Sequence, residues 1–198
     1  MIRAAFAAIG RSRVAILSIA ATYAVSIVVG VVMVSSGNGF ALDRRDQIVG
    51  AAQSSGSLVA LRAGEPVRAA LLDFASNLVL GGVTSTILGI AVIGVYPIVA
   101  YRGWVGGIVS VDSRHQSRLG DPARAGYYLL TLLLQLIPYS IAGGIGVRLG
   151  VGAWRAVKTP RPDTWLGLPT DALRDVAAAY VVIVPLFLVA ALWEFLAA

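Results

Sequence analysis

Asp73, Asn77 and Thr84, with Gly81 and Leu88 in the same row, recur at three- and four-residue steps. That spacing puts them along one face of a helix. A carboxylate, an amide and a hydroxyl in such a row could line a polar path or a binding groove. In apolar surroundings the carboxylate is costly unless water or a partner reaches it. The simpler reading sets Asp73 at a membrane interface, favouring a helix N-terminus, with Asn77 and Thr84 bonded to neighbouring helices. A second polar group, Gln135, Tyr139 and Ser140, lies beside Pro138. The proline has no N–H for the Leu134 carbonyl, so a bend and a free acceptor are expected there. Asp73, Asn77, Thr84, Gln135 and Tyr139 are therefore the candidate binding residues.

Other chemistries lack their residues. His115 is the only histidine, and there is no cysteine. A Ser–His–Asp set, a histidine zinc pair, a disulfide and a thiolate nucleophile are all out of reach. No nucleophile elbow, H-E-x-x-H or phosphate-binding loop occurs. The expectation is a protein that is not an enzyme and uses no cofactor or metal. Acid chemistry at Asp73 is the weakest alternative.

The elements that must position these residues follow from composition. Of 198 residues, 58% are apolar and 13% charged, against about 25% charged in soluble domains. Mean hydropathy is +0.81. The apolar residues cluster in runs near the ~20 needed to cross a bilayer as helix. The net charge of +6 sits at the ends of those runs, where it meets lipid headgroups rather than nucleic acid. An all-α, polytopic transmembrane bundle of about five spans follows, as a single domain over residues 1–198.

The first span is expected near 14–34, behind Arg3, Arg11 and Arg13. Its apolar stretch is longer than the roughly 7–15 residues of a cleavable signal, so a retained anchor fits, with the N-terminus cytoplasmic. Ile2, Phe6 and Ile9 at helical spacing predict a surface helix ahead of it. Residues 35–65 form an outer polar insertion with one or two amphipathic helices. From 71 to 111 the chain is apolar for about 60 Å of helix, twice the hydrocarbon core, so it must turn back. Gly94 to Pro97 through Arg102 and Gly103 is the expected break, giving spans near 71–95 and 98–113, the latter short or re-entrant. A fourth span is expected at 125–150. A basic, proline-rich segment with Arg155, Lys158, Pro160, Arg161 and Pro162 precedes a fifth at 176–197. In this arrangement Arg102 and Arg148 fall at inner ends, Asp73 and Glu194 at outer ends. An Arg102–Asp73 pair is not expected, whereas Arg68 or Arg124 could reach Asp73.

Gly103-x-x-x-Gly107 and Gly146-x-x-x-Gly150 are small-x-x-x-small pairs, the pattern that lets membrane helices touch backbone to backbone. The third and fourth spans are expected to meet through them.

Three blocks resemble the stage II sporulation protein M family of polytopic membrane proteins. Phe74-Ala-Ser-Asn77 is similar to that family's F-x-x-N. Arg102-Gly-Trp-Val-Gly-Gly107 falls where it has N-G-x-x-x-G, with Arg102 in the place of the Asn. Ile141 to Gly150 resembles its glycine-rich stretch. Gln135 stands where the family has Glu, and Thr131 and Leu132 where a proline-histidine-glycine precedes it. The resemblance spans residues 71–150. It implies a five-span, non-enzymatic protein working inside a multiprotein envelope assembly. Two functions remain in view. One is a structural or interaction subunit in the cytoplasmic (inner) membrane of a prokaryote, its partners the lipid bilayer and other membrane subunits or further copies of itself. The other is a permease or channel subunit moving an ion, lipid or small solute.

Overall fold

The computed structural model describes residues 1–159 and 163–196. Pro160, Arg161 and Pro162 of the proline-rich segment, and Ala197 of the expected fifth span, lie outside the described residues. The chain is almost wholly helical, with one two-stranded hairpin pairing Thr164–Trp165 and Leu168–Pro169.

A short α1 (Ile2–Arg11) leads into α2 (Arg13–Ser35). Two helices fill the polar insertion, α3 (Gly39–Ala52) and α4 (Gly56–Arg62). Asn38 caps α3 by accepting from the Ala41 N–H at 3.0 Å, and Ser55 caps α4 on Leu58. Such caps satisfy the orphan donors of a first turn. A continuous second leg follows: α5 (Pro66–Ser76), a π-helical stretch (Asn77–Val83) and α6 (Thr84–Ile90). Pro66 opens it at the first position, where a missing N–H costs nothing. After a tight turn comes α7 (Val95–Ile108). Then α8 (Pro122–Lys158) starts on Asp121, which accepts from the Ala123 and Arg124 N–H groups, and α9 (Thr170–Leu196) closes the chain.

Among the described residues, four stretches are long and apolar enough to cross a membrane: Arg13–Ser35, Pro66–Ile90, Pro122–Lys158 and Thr170–Leu196. The fifth leg, α7, has 14 residues, about 21 Å of helix against a ~30 Å hydrocarbon core. The break before it is tighter than expected and lies at residues 91–94, with Val92 in the left-handed region at φ 58°. Pro97, Arg102 and Gly103 stand inside α7 rather than in the break. Proline is tolerated there because it falls in the first turn, ahead of any helical donor. The fourth leg also runs past its expected end at residue 150, and α9 begins at Thr170, ahead of the expected 176.

The glycine pairs make two seams, and neither joins the third leg to the fourth. Gly103 sits on the Tyr23 carbonyl, and Gly107 on Ile27 and Gly30, so α7 lies parallel to α2. Gly146 and Gly89 face each other beside Thr86, and Gly150 meets Ile90, so α8 lies parallel to α6. A β-carbon at Gly107 or Gly146 would overlap a backbone carbonyl. The expectation paired these helices because each carries a small-x-x-x-small face. The seams instead join helices running the same way, as tight backbone contact between parallel legs allows.

Between the seams lie two apolar clusters. Tyr139, Ile145, Ala179, Ile183 and Phe187 tie α8 to α9, and Ile19, Tyr23, Val95, Val99 and Val147 tie α2 to α7 and α8. Outside them α2 shows Leu17, Val25, Val28 and Val32 to the surroundings, the surface a lipid-facing helix presents. Ala5 and Ala8 of α1 are buried while Ile2 and Phe6 remain exposed. Arg11 and Arg148 both pair with Asp175, binding α1, α8 and α9 at one end of the bundle.

Replacing Gly107 or Gly146 by Leu should lower stability by at least about 3 kcal/mol, because backbone must move rather than a side chain. Gly126, with nothing within 4 Å of its added β-carbon, serves as the control. Thermal unfolding in detergent should show large losses for the first two and none for Gly126→Leu.

Candidate functional site

The π-helical stretch holds the site together. Widening the turn turns carbonyls away from the regular helical ladder, and such stretches often occur at functional sites. Here the Leu80 carbonyl accepts from the Arg102 guanidinium at 2.8 Å, and Val79 accepts from the Thr84 hydroxyl at 3.2 Å. Gly81 and Gly82 in the same stretch leave room for the Tyr139 ring and the Phe187 ring.

Four polar side chains then form one line. The Asn77 amide donates to Asp73 at 2.8 Å, Tyr139 donates its hydroxyl proton to the Asn77 carbonyl oxygen at 2.5 Å, and Arg102 donates to the Tyr139 oxygen at 2.7 Å. The guanidinium also lies 4.8 Å from the Tyr139 ring centre, within cation–π range. Arg102 is therefore in mid-bundle and not at an inner end. It reaches Asp73 through Tyr139 and Asn77 without a direct pair. Arg68 pairs with Glu65 at 2.8 Å instead.

Gln135 stands one turn before Tyr139 on the same face of α8. Its amide donates to Glu194 at 3.0 Å, and the Tyr127 hydroxyl donates to the Glu194 backbone carbonyl at 2.8 Å. The structure thus brings Asn77, Tyr139 and Gln135 around one space. Asp73 stands behind Asn77, and Thr84 lines the space while bonding to its own helix. The Ser140 hydroxyl is buried and, among the described residues, unbonded. Sequence reasoning assigned Arg102 and Glu194 to helix ends, which holds for Glu194 in the last turn of α9, and named neither as a site residue. The signal that could have found them is their ionisable character inside apolar runs, which in itself marks a functional candidate.

The space is a cavity of about 1310 Å³ between α7 and α8, reaching from Arg102 and Tyr139 to Asp112, Arg118 and Arg124. Along α8 from Ala123 to Tyr139 that is about 24 Å. Most of its wall is apolar, with Ile98, Val105, Val109 and Leu132 prominent. Among the described residues no group of three His, Cys, Asp or Glu could hold a metal ion.

The loop between α7 and α8 forms the mouth. His115, in the left-handed region at φ 58°, holds its Nε2 3.0 Å from Asp46 of α3, and Arg45 bonds the same carboxylate at 2.6 Å. Hydrogen bonds from Arg45 first, then His115, keep the Asp46 carboxyl below the usual carboxylate range. A carboxyl depressed in the folded state supports the fold above its unfolded value of about 3.9 and loses that support as pH falls through its folded value.

Two predictions follow from this geometry. Tyr139→Phe leaves the Asn77 carbonyl oxygen without its donor and removes one of the two Arg102 acceptors, and should cost about 1–3 kcal/mol, read as a lower melting temperature. Amide exchange over residues 109–121, corrected for intrinsic rates, should stay slow down to about pH 4 and rise below it. Asp46→Asn should raise it already at neutral pH.

A family model described as Stage II sporulation protein M matches residues 19–196, a span wider than the 71–150 of the recognised blocks. No curated protein matches the chain, and no solved structure does.

Proposed function

Because the chain belongs to the stage II sporulation protein M family and is a membrane protein by its apolar helices, we propose that it is a non-enzymatic membrane subunit that takes up a lipid or small amphiphilic solute. The observation that carries this reading is the cavity between α7 and α8. Its volume of about 1310 Å³ exceeds the ~300–1,000 Å³ of drug-sized ligand sites. A mostly apolar wall with a few convergent polar groups is the usual make-up of a ligand site. Arg102, Asn77, Tyr139, Gln135 and Glu194 are those groups.

The competing reading, a scaffold that docks other proteins through glycine faces, has less support. Gly103, Gly107, Gly146 and Gly150 are all covered by helices of the same chain. Work within a larger assembly remains part of the proposal, since five legs enclose one such space. The address proposed is the cytoplasmic membrane of a prokaryote, N-terminus inside, on the strength of Arg3, Arg11 and Arg13 ahead of the first leg.

Purification from native membranes in mild detergent, with mass spectrometry of bound lipid and bound protein together, tests the reading. A lipid or amphiphile should co-elute at near one per chain. Val105→Trp, which fills the cavity, should cut its retention about tenfold while the melting temperature holds. Folded wild-type protein that carries and accepts no amphiphile would overturn the proposal.

A further inference from the structure

Two opposite charges, Arg102 and Glu194, line the cavity beside Tyr139 and Gln135, and neither is held in an ion pair among the described residues. Arg102 gives hydrogen bonds only to neutral acceptors, the Tyr139 oxygen and the Leu80 carbonyl. Two of its five N–H donors are used, and the rest remain available. Glu194 receives one bond on Oε2 from Gln135, and a carboxylate has room for about three more. Inside an apolar bundle a guanidinium or carboxylate outside any ion pair is costly, so a ligand that bridges the two with its own opposite charges lowers that cost.

The spacing of the two is set by α8. Tyr139 holds Arg102 and Gln135 holds Glu194. Those two contacts are one helical turn apart, a rise of about 6 Å. A ligand carrying only negative charge would satisfy Arg102 and be repelled by Glu194. A purely cationic ligand would meet the reverse. A molecule with an anion and an ammonium joined by a short linker satisfies both, which is selection by charge complementarity and by penalty together. The wall opposite α8 is mostly apolar, with Ile98 and Val105 of α7 and Val109 at its end facing Leu132, while α8 adds Tyr127, Tyr128 and Thr131 along about 24 Å and Arg124 near the loop. A soluble zwitterion would leave that wall empty, so apolar chains belong to the ligand.

We propose that the cavity binds a zwitterionic lipid of the phosphate–ethanolamine class, its phosphate on Arg102 and its ammonium on Glu194. The assignment rests on the uptake reading above and names its ligand. Tyr139 and Asn77 fix the guanidinium from behind, and Gln135 does the same for the carboxylate. An ammonium bearing N–H groups suits Glu194 better than a quaternary one, which has no hydrogen to donate.

Purified protein, incubated with vesicles holding equal phosphatidylethanolamine and phosphatidylglycerol and re-extracted in mild detergent, provides the test by native mass spectrometry. Phosphatidylethanolamine should be retained about tenfold over phosphatidylglycerol, the worth of one charge-assisted hydrogen bond. Glu194→Gln keeps the shape and should erase that preference. Arg102→Gln should lower retention of both lipids, with Arg102→Met as the second charge-removing variant should the first fail to fold. Equal binding of the two lipids, unchanged in Glu194→Gln, overturns the assignment and leaves the uptake reading standing. Failure to retain any lipid overturns both. Displacement of bound lipid by free phosphoethanolamine at equal concentration overturns the lipid as the ligand in favour of a soluble zwitterion.

Discussion

Backbone-to-backbone contact at glycine decides where everything else in this bundle goes. In an apolar solvent helices gain little from hiding apolar surface, so close packing and hydrogen bonding must hold them. Here the closest packing is confined to two seams, α7 on α2 and α8 on α6. Each of the helices that flank the cavity is drawn toward a different neighbour. α7 and α8 follow each other in the chain, yet are pulled apart, and the space between them is the cavity. Had the two glycine pairs faced one another, as their shared pattern suggested, the same residues would have closed it.

The polar line depends on that separation. Arg102 comes from α7, Tyr139 from α8, and Asn77 and Leu80 from the π-helical stretch of the second leg. With α7 and α8 apart, a long flexible side chain has to bridge them, and Arg102 does so with its two hydrogen bonds. The wider turn supplies the Leu80 carbonyl as an acceptor, and Gly81 gives the Tyr139 ring a place to lie. The line is thus a consequence of packing and also a brace across the gap. Thr86 does comparable work lower in the bundle. Its hydroxyl lies 3.0 Å from the Ala142 carbonyl and 2.9 Å from the Tyr180 hydroxyl, joining α6, α8 and α9 where the packing is closed.

Much of this architecture was legible in the residues. Run lengths and mean hydropathy foretold a helical membrane protein, and Asn38, Pro66 and Pro122 mark helix starts that the structure uses. Asn77, Gln135 and Tyr139 stood out as polar groups in apolar runs, and they meet in one place. What periodicity could not give was the partner of each glycine face, since a small-residue pattern carries no information about which helix covers it. Nor could it give the π-helical stretch. A 3.6-residue period put Asp73, Asn77 and Thr84 on one stripe, and Asp73 stays bonded to Asn77 while Asn77 and Thr84 line the cavity. The period gave no sign that the wider turn frees the Val79 carbonyl for the Thr84 hydroxyl. Arg102 was misplaced for a related reason. A charge between glycines looks like the end of a span when the helix is assumed to break there, whereas the break lies at residues 91–94.

The two ends of the bundle are built differently, and that difference bears on how the cavity can work. At one end Gly144 lies on Ile16, Gly146 on Thr86, and Asp175 receives two guanidinium groups that tie α1 to α8 and α9. Pairing one carboxylate with two arginines from other helices fixes their spacing, and partial burial shields the pairs from salt screening. At the other end the loop itself is exposed, held to α3 by His115 and Asp46 with capping bonds at Asp121, above a buried cluster of Val34, Ala41, Ile108 and Val111. Local stability follows buried contact and protected hydrogen bonds, so the mouth belongs to the low-stability part of the molecule and the tied end to the high-stability part. The guanidinium and the carboxylate that line the cavity are held by Tyr139 and Gln135 in the middle of α8, between the two ends. They are positioned by rigid elements while entry is left to the loosely held ones. That division suits a site which must keep two charges a helical turn apart and still admit a molecule as long as the cavity.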